Sequence, residues 1–162
     1  MDDVAEIVQL AKRIVLETGV FEPTIFIKGS ERKLAVQPET FGQTADDRQR
    51  NMLNMGAYIA YKQNVGELEI LIFADEAWMS KPDKNGEFIQ PSLDPKRIET
   101  LIINSLDART QEETMICFEM VRNTQGKVTN LKQMSLPDGG SVKGNLLPAF
   151  QKGYQFIRPV RN

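Results

Sequence analysis

The sequence predicts an α+β fold, a mostly antiparallel sheet of five to six strands with three helices in the order αββαββββα. Three observations lead there. Apolar residues recur at helical spacing in two segments that carry capping residues. Runs rich in β-branched and aromatic residues are bounded by turn residues, and most of their connections are short enough for hairpins. At 162 residues, 41% apolar and 26% charged, the chain fits a single α+β domain, 1–162, with a core of its own.

Val4, Ile7, Val8, Ala11, Ile14 and Val15 put one apolar stripe on a helix from about Asp3 to Thr18. Gly19 follows where a left-handed cap belongs. Thr24–Lys28 and Lys33–Gln37 are short strands joined by the turn Gly29-Ser30-Glu31-Arg32, and Pro38 ends the second. Thr44-Ala45-Asp46-Asp47 reads as an N-cap with an acid three residues on. The helix behind it runs to about Gln63, with Met52, Met55, Ile59 and Ala60 inward and Gly56 as its weak point.

Glu67–Glu76, Arg97–Leu106 and Glu113–Arg122 are the longer strands. Lys127–Met134 completes a hairpin with the last of them, through Asn123-Thr124-Gln125-Gly126, a type I turn closed by a left-handed glycine. Ser80–Lys96, holding Pro82, Gly86, Pro91 and Pro95, is a long loop. Leu146–Phe156 is a short last helix with Pro148 in its first turn. The longer strands place apolar residues on both faces: Leu68, Ile70 and Ile72 against Leu71 and Phe73, and Ile98, Ile102 and Leu106 against Leu101 and Ile103. Such a sheet needs cover on both sides, and a short third helix shields only part of one. A homodimer through the open sheet face is therefore expected.

Net charge is −2, and the halves carry 8 basic and 13 acidic, then 12 basic and 9 acidic side chains, too small a swing for a nucleic-acid arm. Leu68–Ala74, the most apolar run, is far too short to span a bilayer, and Met1-Asp2-Asp3-Val4-Ala5-Glu6 lacks a basic leader, so a cytoplasmic protein is expected. Cys117 is alone and flanked by Met115, Ile116 and Phe118, which reads as a small buried hydrophobe. With no histidine and one cysteine, zinc sites and histidine-based nucleophilic catalysis have no ligands to work with. Asp138-Gly139-Gly140-Ser141, with Lys143, is the one glycine pair available to a phosphate, and it reads as a plain connection. No cofactor is implied. What remains of catalysis is carboxylate chemistry with a divalent cation, for which Asp75, Glu76, Asp94, Glu99 and Glu119 are the candidates. The triplet Glu31-Arg32-Lys33 falls in a turn and does not suit a nuclease core.

One group stands out as a binding site. Glu76 ends the third strand and Arg97 begins the fourth, so antiparallel pairing brings them to the same end of the sheet as an ion pair. Trp78, the single tryptophan, sits where the long loop leaves. Ser92 and Asp94 flank the prolines at its return, where each suits a turn cap. Together, Glu76, Trp78, Ser92, Asp94 and Arg97 form a polar rim around an apolar floor, suited to a protein or small-molecule partner. The expected function is a non-catalytic binding or interaction domain; a carboxylate and divalent-metal enzyme or a small-molecule or nucleotide sensor is the alternative. Glu76-Ala77-Trp78-Met79 followed by Pro91-Ser92-Leu93-Asp94-Pro95-Lys96-Arg97-Ile98-Glu99 resembles a pattern in small bacterial and phage proteins to which no activity is assigned. The resemblance covers this segment alone; it implies a prokaryotic or phage origin and no mechanism.

Overall fold

A computed structural model describes residues 2–81, 84–87, 89–142 and 144–161. The first helix, α1, runs Asp3–Thr18, opened by Asp2, whose carboxylate accepts the Val4 N–H, and closed by Gly19 at φ 80°. Strands β1 (Thr24–Gly29) and β2 (Lys33–Val36) form an antiparallel hairpin with Ile25 opposite Val36 and Lys28 opposite Lys33. Thr44 caps α2 (Ala45–Lys62), its hydroxyl accepting the Asp47 N–H at 3.1 Å.

The longer strands are β3 (Leu68–Met79), β4 (Ile98–Asp107) and β5 (Glu113–Arg122), followed by β6 (Val128–Gln133). The β5–β6 turn is closed as its residues require: Gly126 lies at φ 80° and its N–H donates to Asn123 O at 3.0 Å. A short strand, β7 (Ser141–Val142), precedes α3 (Leu146–Ile157). Three helices and an antiparallel sheet of six strands, joined at β5 by the two-residue β7, make an α+β fold. The strands lie in the order β2-β1-β3-β4-β5-β6, with β7 paired to β5 at Glu113 and Thr114. Three features depart from the sequence reading. β3 continues three residues past Glu76, because Ala77, Trp78 and Met79 sustain the extended backbone; Pro91–Leu93 forms a 3₁₀ turn inside the long loop; and β7 has no counterpart. A two-residue strand is too short to show a period.

The chain divides into two compact units. One comprises Met1–Pro23, Ala74–Ile103 and Ile116–Gly140. In it α1 packs on β6 and buries Val8, Ala11 and Val15, while the Lys12 ammonium lies 5.0 Å over the Phe118 ring. Cys117 is fully buried there, and burial pushes its thiol up to about 11, which leaves it protonated and unreactive at neutral pH.

The other unit comprises Thr24–Phe73, Asn104–Met115 and Ser141–Asn162. Its core joins Ile25 and Ile27 of β1, Leu71 and Phe73 of β3, Met52 and Ile59 of α2, and Phe150 and Tyr154 of α3. α2 and α3 meet at two glycines, Gly56 and Gly153, so closely that each backbone lies where the other's Cβ would be. Leu71, Ile72 and Phe73 are all buried, so both faces of β3 are covered at these positions within one chain. Among the described residues, no helix is long and apolar enough to cross a membrane.

Candidate functional site

The end of β3, the loop behind it and the start of β4 bring together four of the five residues singled out in the sequence. Thr100 of β4, fully buried, donates its hydroxyl to Ala77 O at 2.7 Å and so fixes the residue before Trp78. Trp78 is left 50% exposed, and the Arg97 guanidinium stacks 4.5 Å from its ring centroid. Arg97 is further held by Pro91 O, which accepts from Nη1 at 3.5 Å.

Asp94 is a turn residue, as its sequence context implies. Its carboxylate accepts the Lys96 N–H at 2.8 Å and its carbonyl accepts the Arg97 N–H at 3.2 Å. Ser92 lies exposed in the 3₁₀ turn beside Leu93, which is 72% exposed. Lys81, where the loop leaves β3, reaches Glu119 of β5 at 3.9 Å, a solvent-screened pair that adds little. Pro82 lies outside the described residues.

Glu76 does not join this group. The structure gives it and Arg97 different partners, which corrects the expected ion pair. The Glu76 carboxylate accepts the Phe21 N–H at 2.5 Å. Burial raises its pKa, the Phe21 hydrogen bond opposes that, and Glu99 adds to it while Arg122 counters. The arginine that serves this end of β4 comes from β5. Arg122 grips Glu99 with two parallel bonds, Nε to Oε2 at 2.7 Å and Nη2 to Oε1 at 2.6 Å. It also donates to Gly19 O and Gly126 O, each at 2.8 Å. The hydrogen bond to Glu99 is the chief reason the Arg122 pKa is raised.

Arg97 and Glu76 take different partners for a geometric reason. Residues at matching strand ends share a neighbourhood, but Arg97 lies ahead of β4, in the loop, and its plane settles on the indole. Arg122, the last residue of β5, had no sequence signal beyond its charge at a strand end.

The other acids are dispersed. Asp75 accepts the Glu76 N–H at 2.7 Å, Glu99 is bound to Arg122, and Glu119 meets Lys81. Among the described residues, no three of Asp, Glu and Cys gather as a metal-holding group. Gly139 and Gly140 take positive φ at a 3₁₀ turn that leads into β7, and Lys143 lies outside the described residues. No family model matches the chain, nor does any curated protein or solved structure.

Proposed function

We propose that this chain is a non-catalytic binding domain that engages a protein partner through Trp78, Arg97 and the loop between β3 and β4. The observation that carries the reading is the half-exposed indole with a guanidinium 4.5 Å over its ring. Tryptophan and arginine dominate the energetics of protein interfaces. Leu93 and Ile89 of the same loop, 72% and 51% exposed, add apolar surface. Asp94 stiffens the loop, and Ser92 presents a hydroxyl to a partner.

A carboxylate enzyme using a divalent cation would draw on Glu76 and Glu99, but Glu99 is already gripped by Arg122 and Glu76 accepts the Phe21 N–H. A homodimer through the sheet has to be built on strand residues that stay partly exposed, such as Ile70, Ile102 and Ile116. Light scattering at micromolar concentration separates the cases. A mass near twice 18.3 kDa supports the dimer, and a mass constant at 18.3 kDa on dilution ends it. The bacterial or phage origin implied by the resemblance, and a cytoplasmic location, belong to the same reading.

Trp78→Ala and Arg97→Ala are expected to leave stability within about 0.5 kcal/mol, because neither residue belongs to a core. Each is expected to weaken a partner purified on the wild-type protein by about 30-fold or more, a loss of ~2 kcal/mol. Affinity capture from a bacterial extract followed by calorimetric titration of the purified partner reads this directly. A partner that binds both variants as tightly as the wild type overturns the assignment.

A further inference from the structure

A polar cleft lies in the unit built from Thr24–Phe73, Asn104–Met115 and Ser141–Asn162, away in sequence from the loop just described. Its base is two turns laced together. In the β1–β2 turn, Ser30 N–H donates to Glu67 O and Glu31 N–H to Val65 O, each at 2.9 Å. In return Glu67 N–H donates to Ser30 Oγ at 3.0 Å, and Arg32 Nε donates to Asn64 O at 3.0 Å. The Tyr154 hydroxyl of α3 closes the floor, donating to Gly66 O at 2.7 Å and accepting the Val65 N–H at 3.3 Å. The chain after α3 forms the facing wall and is pinned where Arg158 Nε donates to Ala60 O at 3.1 Å.

These segments line a half-open cleft of about 440 Å³, within the size range of small-molecule sites. The lining has two charge signs from two sources. The turns supply the exposed carboxylates of Glu31 and Glu67, with the Arg32 guanidinium tied down at their base by Asn64 O, and the chain after α3 supplies the exposed guanidiniums of Arg158 and Arg161. Ile157 and Val160, 41% and 56% exposed, add an apolar surface. A simple anion would meet two carboxylates and a simple cation two guanidiniums, so neither uses the whole lining. A molecule with one group of each sign does.

We propose that this cleft binds a small zwitterion of the amino-acid class with an aliphatic side chain. Its carboxylate lies on Arg161 and on the Nη groups of Arg158, whose Nε is held by Ala60 O. Its ammonium lies on Glu31 and Glu67, and its side chain covers Ile157 and Val160.

Titration calorimetry of the full chain with L-leucine, L-leucinamide and N-acetyl-L-leucine tests this, with inorganic phosphate as the anion control. Leucine is expected to bind, and each blocked analogue to bind about tenfold or more weakly, since each lacks one charge. Arg161→Gln and Glu67→Gln alter exposed side chains and are expected to keep the fold. Arg161→Gln should weaken leucine and leucinamide unequally, costing about tenfold for the ligand with a carboxylate and little for the amide. Glu67→Gln should do the reverse, sparing N-acetyl-leucine. Absence of leucine binding at millimolar concentration overturns the proposal. So does tight binding of phosphate alone, or leucine affinity unmoved by both variants, as expected if the four charges only pair with one another across the cleft.

Discussion

Gly153→Ala is expected to destabilise the protein by about 3 kcal/mol, although alanine is by far the better helix former. A Cβ built at Gly153 would lie 1.9 Å from Leu53 O and 2.8 Å from its carbonyl carbon. The reciprocal position, Gly56 of α2, would place a Cβ 2.0 Å from Phe150 O and 2.9 Å from Tyr154 N. These obstacles are backbone atoms, so no rotamer change relieves them and the helices must separate. Separation strips contact from Met52, Ile59, Phe150 and Tyr154, which share the core at this crossing. The gain of about 1 kcal/mol in helix propensity offsets only part of that loss. Gly56→Ala is expected to behave in the same way. Urea unfolding followed by circular dichroism measures the shift in midpoint. A midpoint that stays put or rises would mean that the two helices do not approach this closely in solution.

That crossing also shows where sequence reading stops. Gly56 was legible only as a weak point in its helix, because a glycine needed for close approach to another segment leaves no local mark. Local chemistry was legible wherever the deciding atoms lie within a few residues. Gly19 takes φ 80° after α1, Thr44 accepts the Asp47 N–H, and Gly126 closes the β5–β6 turn. The candidate site was legible in part for the same reason. Asp94 caps its own turn, and Trp78 stands at the loop exit as its position implies. Long-range partners were not legible. Phe21 is 55 residues from Glu76, and Arg122 reaches back 103 residues to Gly19, distances over which charge and strand ends give no register.

Arg122→Ala is expected to cost about 2 kcal/mol at neutral pH, and less as the pH falls. The guanidinium makes four hydrogen bonds that join the end of α1, the carboxylate on β4 and the β5–β6 turn. Loss of one partner of a well-buried pair costs about 3–5 kcal/mol, and the 30% exposed Arg122 side chain brings the figure down. The pH dependence follows from Glu76. Its pKa is raised in the folded protein, chiefly by burial, so the fold holds that proton more tightly than the unfolded chain does. A carboxylate raised in this way favours the fold most below its ordinary value of 4.5; that advantage is lost as the pH rises through the folded value. Above it, an ionised and partly buried Glu76 is a fixed cost, moderated in the wild type by Arg122. Removing the cation leaves Glu76 beside Glu99 without the charge that moderates it, which pushes the Glu76 pKa further up. The variant's deficit is therefore largest at pH 7 and narrows towards pH 4.5, as Glu76 takes up its proton. Urea unfolding of both proteins at the two pH values tests this. A deficit that does not change with pH would assign the effect to the bonds with Gly19 O and Gly126 O and leave the carboxylates no part in it. Arg122→Lys separates the contributions further, because it keeps the charge but gives up the two-pronged grip on Glu99.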